Sequence, residues 1–291
     1  MAEQVGTVDS LHRYPVKSML GEDVKASWAD ERGLLGDRAF AIVDAVTGKV
    51  ASAKNPRLWK RLLECRATYA EEPKSDRLLP PIQLRLPSGV SVLSDDSAIN
   101  RKLSELFERS VQLLPHAPPA STYEDYWPDL DNLSPEGHRD TVTNEQISRF
   151  APDGTFFDMS AFHLLTHQAL EALRAEAPDS KIELARFRPN IVIRSQSKPP
   201  AFVENSWAGH SLRLGPIVIV KILMPSMRCV MTTLEQPGLP SDPRILRSLV
   251  RANMVDIPGA GKYPCIGVYG SLSRKLSTGG LVNVGDPCLL D

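Results

Sequence analysis

The sequence predicts a mainly β fold (α+β): two β-rich units with a few short helices, the second a closed or nearly closed barrel that hides its edges. Three observations predict it. The 291 residues include 24 Pro and 18 Gly, which means many turns between short elements. Apolar residues alternate in short runs bounded by turn residues more often than they recur at helical spacing. A composition that is 42% hydrophobic over this length can bury a large core in one or two domains. The net charge of −1 leaves no basic footprint for nucleic acid or for an anionic membrane, so neither is expected as a partner.

Residues 1–115 make the first unit. From Val5 the chain reads as strand and turn (VGTVDSLHRYPVKS), with a second extended segment at Val24–Trp28. Arg38–Val43 (RAFAIV) is a buried run, and Asp44–Lys49 (DAVTGK) leads it into a partner strand, because Thr47-Gly48 supplies the positive-φ position. Asn55-Pro56 opens a short helix, Asn as cap and Pro in the first position, with Leu58, Trp59, Leu62 and Leu63 on one face. Pro80–Leu93 is a hairpin about Pro87-Ser88-Gly89, in which Ile82, Leu84 and Leu86 alternate. Ser94 or Asp95 then caps a helix carrying Ile99, Leu103, Leu106 and Phe107 at i, i+4, i+7 and i+8.

Residues 116–140 are dense in Pro, Asp, Ser and His and hold no sustained period; they are expected to form a linker or long loop. Tyr123, Tyr126 and Trp127 lie in it. Residues 141–291 make the second unit. Phe162–Glu176 reads as an amphipathic helix that Thr166 can cap, and Arg186–Ile193 (RFRPNIVI) as an extended segment. Ser211–Met224 is a strand pair turning at Gly215-Pro216. Asp242-Pro243 starts a helix that buries Ile245, Leu246, Leu249 and Val250. Two β segments, Cys265–Leu272 and Leu281–Leu290, follow.

The four cysteines, Cys65, Cys229, Cys265 and Cys288, are scattered and form no Cys-x-x-Cys pair, which fits reduced thiols in a cytoplasmic setting. MAEQVGTVDS has no basic stretch followed by an apolar one, so no signal peptide is readable, and the longest apolar run, Ile217–Met224, is too short to span a bilayer. There is no dinucleotide fingerprint, Walker loop, His-Glu-x-x-His or Gly-x-Ser-x-Gly. What remains is a set of cationic, backbone-constrained segments. Lys17-Ser18 ends a strand after Pro15. Glu31–Arg38 uses two glycines to deliver Arg38. Thr166 opens a helix, where free N–H groups favour an anion. Arg186 and Arg188, two apart in an extended segment, project to one face. Arg228 stands beside Cys229. A lone cysteine is commonly a small buried residue, but a neighbouring cation favours its thiolate, as ligand or nucleophile.

RYPVKS, ERGLLGDR, FRPNIVI, Ser206-Trp207-Ala208-Gly209 before LRLG, RCVMTT, IGVY and VNVGD occur in this order from Val5 to the C-terminal region. The chain resembles MOSC-domain proteins that carry an N-terminal MOSC β-barrel domain, the family of the molybdenum-cofactor sulfurase C-terminal domain and the amidoxime-reducing components. The resemblance implies a molybdenum cofactor (Mo-molybdopterin) with Cys229 as the protein ligand to the metal and the catalytic residue. It implies Lys17, Ser18 and Arg38 as holders of the pterin and its phosphate, with Thr166, His167, Arg188, Asn190 and Arg228 also binding the cofactor. Two positions depart from the family pattern: Ser226 stands where a second cysteine is common, and Ala169 replaces a serine, leaving His167 or Gln168 as substitutes.

The implied function is a molybdenum-dependent reductase that takes oxygen from small N-hydroxylated, N-oxide or S-oxide compounds. No clustered cysteines follow the MOSC region, so electrons are expected from a separate flavin, haem or iron–sulfur protein. The alternative is a sulfur or cofactor carrier using a Cys229 persulfide. A thiol hydrolase would need a histidine base beside Cys229, for which His167 is the best sequence candidate.

Overall fold

The computed structural model describes residues 2–129, 139–273 and 275–291. Strand makes up 38% and helix 18%, so the mainly β expectation holds. Seven strands close a barrel in the order Phe162–Thr166, Ile191–Arg194, Glu3–Arg13, Pro287–Leu290, Ser211–Leu214, Val218–Met227 and Gly261–Leu272, which returns to Phe162–Thr166. Closure leaves no free edge among them. Their inward residues, including Leu11, Leu164, Ile191, Leu212, Val220 and Val268, fill the barrel core. The only parallel pairing described in the barrel, Phe162–Thr166 with Ile191–Arg194, spans a crossover that contains the helix His167–Glu176.

Glu3–Arg13 is thus a strand of the C-terminal barrel, and Ala26–Asp30 pairs with Gly280–Asn283. A division at residue 115 follows the chain and not the sheets. The rest of the N-terminal unit packs short sheets and two small helical segments about a second core of Met19, Ile42, Trp59, Leu62, Leu84 and Leu103. Trp59 meets Phe107 edge-on at 5.7 Å.

Several elements differ from expectation. Phe162–Glu176 begins as a fully buried strand, and its helix starts only at His167, where Thr166 Oγ1 accepts from Ala169 N at 3.1 Å. An apolar run buried on both faces carries no period that separates strand from helix. Arg186–Ile193 is not extended throughout: Leu184–Phe187 is one helical turn, Arg188 takes φ +56°, and the strand begins at Ile191. The cap of helix Ile99–Phe107 is Ala98, whose N–H donates to Asp96. Leu281–Leu290 is two strands, Gly280–Asn283 and Pro287–Leu290, in different sheets. The expected linker contributes Thr122–Trp127, which pairs with Thr141–Gln146 as a hairpin. Residues 130–138 of that linker lie outside the described residues.

Candidate active site

The site lies where the two units meet, and backbone conformation builds it. Three of its side chains are carried by non-glycine residues in the left-handed region: Ser18 at φ +63°, Arg38 at +45° and Arg188 at +56°. Each costs roughly 1–2 kcal/mol, and such positions concentrate at functional sites. Gly33 and Gly36, at φ +87° and +82°, bring the chain to Arg38 as the sequence implied. A Cβ on Gly36 would sit 2.6 Å from the Tyr69 hydroxyl, which donates to the Gly36 carbonyl. Gly36→Ala should therefore cost about 2 kcal/mol from the backbone alone and more with the clash, read as a lower urea midpoint.

Five cationic side chains converge. Lys17 is 4% exposed, pairs with Asp158 and donates to the Phe156 carbonyl at 3.3 Å. Lys54 Nζ donates to Tyr123 Oη at 3.0 Å and Asp125 Oδ2 at 3.1 Å. Arg38 and Arg188 hold their guanidinium carbons 4.6 and 4.2 Å from the Tyr14 ring. Arg38 also pairs with Asp37 and donates to Asn190 Oδ1 and the Arg188 carbonyl. Arg188 donates to the Met19 carbonyl at 2.7 Å, and Arg228 to Ser226 Oγ and the Phe187 carbonyl. Arg188 Nη2 and Arg228 Nε are buried donors without a partner.

Lys17, Lys54 and Arg38 have carboxylate partners, whereas Arg188 and Arg228 have none among the described contacts. Burial, then Lys54, Arg38 and Arg188, push the Lys17 ammonium well below its ordinary range. Burial and then Arg38 bring Arg188 down to about 10. Buried cations this close repel one another, and an anion bound among them would relieve that repulsion. Lys54, by contrast, is held charged by Asp125 against the cost of its burial.

Cys229 lies two residues beyond the strand Val218–Met227 and lines two adjoining chambers. The inner one, about 100 Å³, is cationic and lined by Lys17, Ser18, Arg38, Arg188 and Asn190. The outer one, about 330 Å³, is lined by Tyr123, Asp125, Trp127, Glu145, Tyr263 and Tyr269. Burial pushes the Cys229 thiol up, Lys54 and Arg228 pulling it down by less. Arg228 does pull Cys229 towards its thiolate, as expected, but burial outweighs that pull in the free protein. The Arg228 guanidinium is turned towards Ser226 and Phe187, and Lys54 acts on the thiol more strongly.

A profile described as the MOSC N-terminal beta barrel domain matches residues 5–88, and one described as the MOSC domain matches residues 151–288. The chain belongs to the MOSC family. Mitochondrial amidoxime-reducing component 1 of Homo sapiens is 27% identical over 100% of this chain and 84% of its own length. The Mus musculus protein of the same name is 26% identical over 99% and 83%. Mitochondrial amidoxime reducing component 2 of Bos taurus is 26% identical over 98% and 83%.

In this MOSC protein Lys17, Ser18, Arg38, Arg188, Asn190, Arg228 and Cys229 come together at the inner chamber. Two expected residues do not. Thr166 is fully buried and donates to Glu204 at 2.8 Å, and His167 binds Asp9 on the barrel exterior, with Arg194 beside it. Thr166 does cap the helix as expected; its place at the site, like that of His167, rested on the resemblance. The loss of serine at Ala169 therefore bears on a helix cap and not on the chamber. Cys65, Cys265 and Cys288 are core thiols, each pushed up to about 12 by burial.

Sequence reasoning missed Lys54, Asp158 and His163. Lys54 precedes a helix start and was subsumed in it. His163 was assigned to a helix face, whereas the strand Phe162–Thr166 turns it into the chamber, 5.7 Å from the Tyr269 ring centroid. Burial and the nearby Arg228 lower His163 from its ordinary 6.5 to about 3. The folded protein keeps it neutral, while the unfolded chain takes up a proton below about 6.5. Stability should therefore fall with pH, by about 2 kcal/mol between pH 6.5 and 5 for a slope near 1.4 kcal/mol per unit. Urea unfolding at both pH values should show this in the wild type and less in His163→Gln; equal losses would assign the slope elsewhere.

Proposed function

We propose that this protein is a molybdenum-cofactor reductase for small N-hydroxylated compounds, with Cys229 as its protein ligand to the metal. The observation that carries it is the pairing of a single non-core thiol with a cationic chamber that it lines. Among the described residues no group of three or more His, Cys, Asp or Glu could hold a metal, so a metal beside Cys229 takes its other ligands from a cofactor. The donor set fits: a thiolate suits a thiophilic metal, and an anionic phosphate suits unpartnered guanidinium N–H groups. Lys17, Ser18, Arg38, Arg188 and Asn190 would hold the anionic part of the group.

The bound cofactor would supply the two-electron chemistry that removes oxygen from the substrate. The protein's part is binding and positioning. Arg228 keeps the Cys229 turn against the Phe187 carbonyl, and Lys54, which lines both chambers with Cys229, would donate to a substrate oxygen bound there. Neutral His163 faces the Arg188 and Ile266 carbonyls at 3.4 Å and serves as packing, not as a base. Electrons would come from a separate flavin, haem or iron–sulfur protein. The names of the amidoxime-reducing relatives agree with this reading.

Protein made in a cofactor-competent host, reduced anaerobically by a dye, should contain molybdenum and reoxidise with amidoximes or hydroxylamines. Metal-free protein from such a host, or no turnover of any N–O compound, would sink the proposal. The carrier reading is weaker, because Cys229 is enclosed by two chambers and a carrier must present its sulfur to another protein.

A further inference from the structure

The outer chamber carries both signs of charge: Asp125 and Glu145 line it together with Lys54, Arg149 and Arg228. One of its walls is a single face of the hairpin Thr122–Trp127 and Thr141–Gln146, because alternate residues of a strand share a side and the register sets Tyr123 against Glu145 and Asp125 against Thr143. Two carboxylates stand on that face. Asp125 is 5% exposed; its Oδ2 accepts from Lys54 at 3.1 Å, and its buried Oδ1 has no hydrogen-bond partner. Glu145 Oε1 accepts only a hydroxyl in the described contacts, from Thr143 at 2.8 Å. Lys54 accounts for one oxygen of the pair and Thr143 for another, and Asp125 Oδ1 is left without a partner.

Aromatic rings line the chamber as well, with Arg149 and Arg228 beside them. Trp127 and Tyr263 lie with ring centroids 6.5 Å apart at 47°, and the Trp127 indole is fixed by its N–H donating to Thr143 Oγ1 at 2.9 Å. An unpartnered buried carboxylate oxygen is costly unless a donor arrives from outside the protein.

We propose that this hairpin face determines specificity. Asp125, assisted by Glu145, accepts N–H groups of flat substrates that carry donors beside the N–O bond, and so selects the amidoxime pattern over N-oxides and sulfoxides, which carry none. Trp127 and Tyr263 pack the flat body. The inference deepens the reductase reading and rests on it for the turnover arm only.

The test uses holoenzyme, benzamidoxime, methyl phenyl sulfoxide and benzamidine as a non-reducible donor-bearing probe. In Asp125→Asn the ratio of kcat/KM for the amidoxime over that for the sulfoxide should fall about tenfold or more, the range for a hydrogen bond to a charged group. Benzamidine binding, by calorimetry, should weaken similarly. Glu145→Gln, on the more exposed carboxylate, should shift both readouts in the same direction by less, and serves if Asp125→Asn fails to fold. An unchanged ratio, or benzamidine bound equally by wild type and both variants, overturns the proposal. If no N–O compound turns over, the reductase reading fails, while calorimetry still decides the role of Asp125.

Discussion

Cys229→Ser protein should fold as the wild type does and lose reductase turnover by more than about 100-fold. The fold survives because Cys229 is only partly buried against Ala53, Leu63 and Met231, and oxygen for sulfur changes little volume there. The chemistry does not survive, because a hydroxyl stays protonated where a thiol can ionise and is a poor partner for a soft metal. The anionic part of the cofactor is held by other residues, Arg38 and Arg188 among them, so pterin should remain while the activity is gone. The contrast is Arg188→Ala, which should lose pterin and turnover together. Pterin released on denaturation, metal per chain and turnover with an amidoxime separate the two variants. Wild-type turnover in Cys229→Ser would remove Cys229 from the mechanism. If the wild type instead carries an added sulfur on Cys229 and turns over nothing, the chain is a carrier.

Legibility in the sequence followed local physics. Turns with glycine at a required positive φ were readable: Gly33 and Gly36 deliver Arg38, and Gly48 at φ +69° makes the turn after Ala41–Asp44, although that strand's ladder is with Val111–Leu114 and Val50 only bridges back to Val43. The Pro56 and Asp242-Pro243 helix starts were readable because proline acts locally; Asp242 Oδ1 accepts from Arg244 N, whereas Asn55 makes no side-chain cap bond and donates to Glu124 instead. Phe162–Thr166 was not, because its burial comes from strands near residues 191 and 270, far away in sequence. That one misreading hid His163 from the site. The hairpin at Thr122–Trp127 was obscured by the polar residues its face needs to line a chamber. A strand that serves a site breaks the apolar alternation by which strands are found.

Arg186 and Arg188 show how two residues of one motif can take opposite tasks, and Arg186→Ala should be the most destabilising substitution in the C-terminal unit. In an extended strand both side chains would reach the chamber. The helical turn Leu184–Phe187 and the left-handed Arg188 separate them instead. Arg186 is fully buried, and its guanidinium donates to the carbonyls of Lys181 at 2.8 Å, Thr232 and Leu234 at 3.2 Å and Pro240 at 2.7 Å. Three of those carbonyls lie in the segment that follows Cys229, so one side chain fixes the turn that presents the thiol. Alanine would orphan four acceptors and leave a cavity, at a cost of about 3–5 kcal/mol. Lysine keeps the charge but not the planar fork and should recover only part of it. Urea unfolding measures the loss, and thiol-reagent labelling of Cys229 should be faster in Arg186→Ala under native conditions because its turn is no longer tied down. A loss under about 1 kcal/mol with unchanged labelling would show that the surrounding backbone holds the Cys229 turn without Arg186.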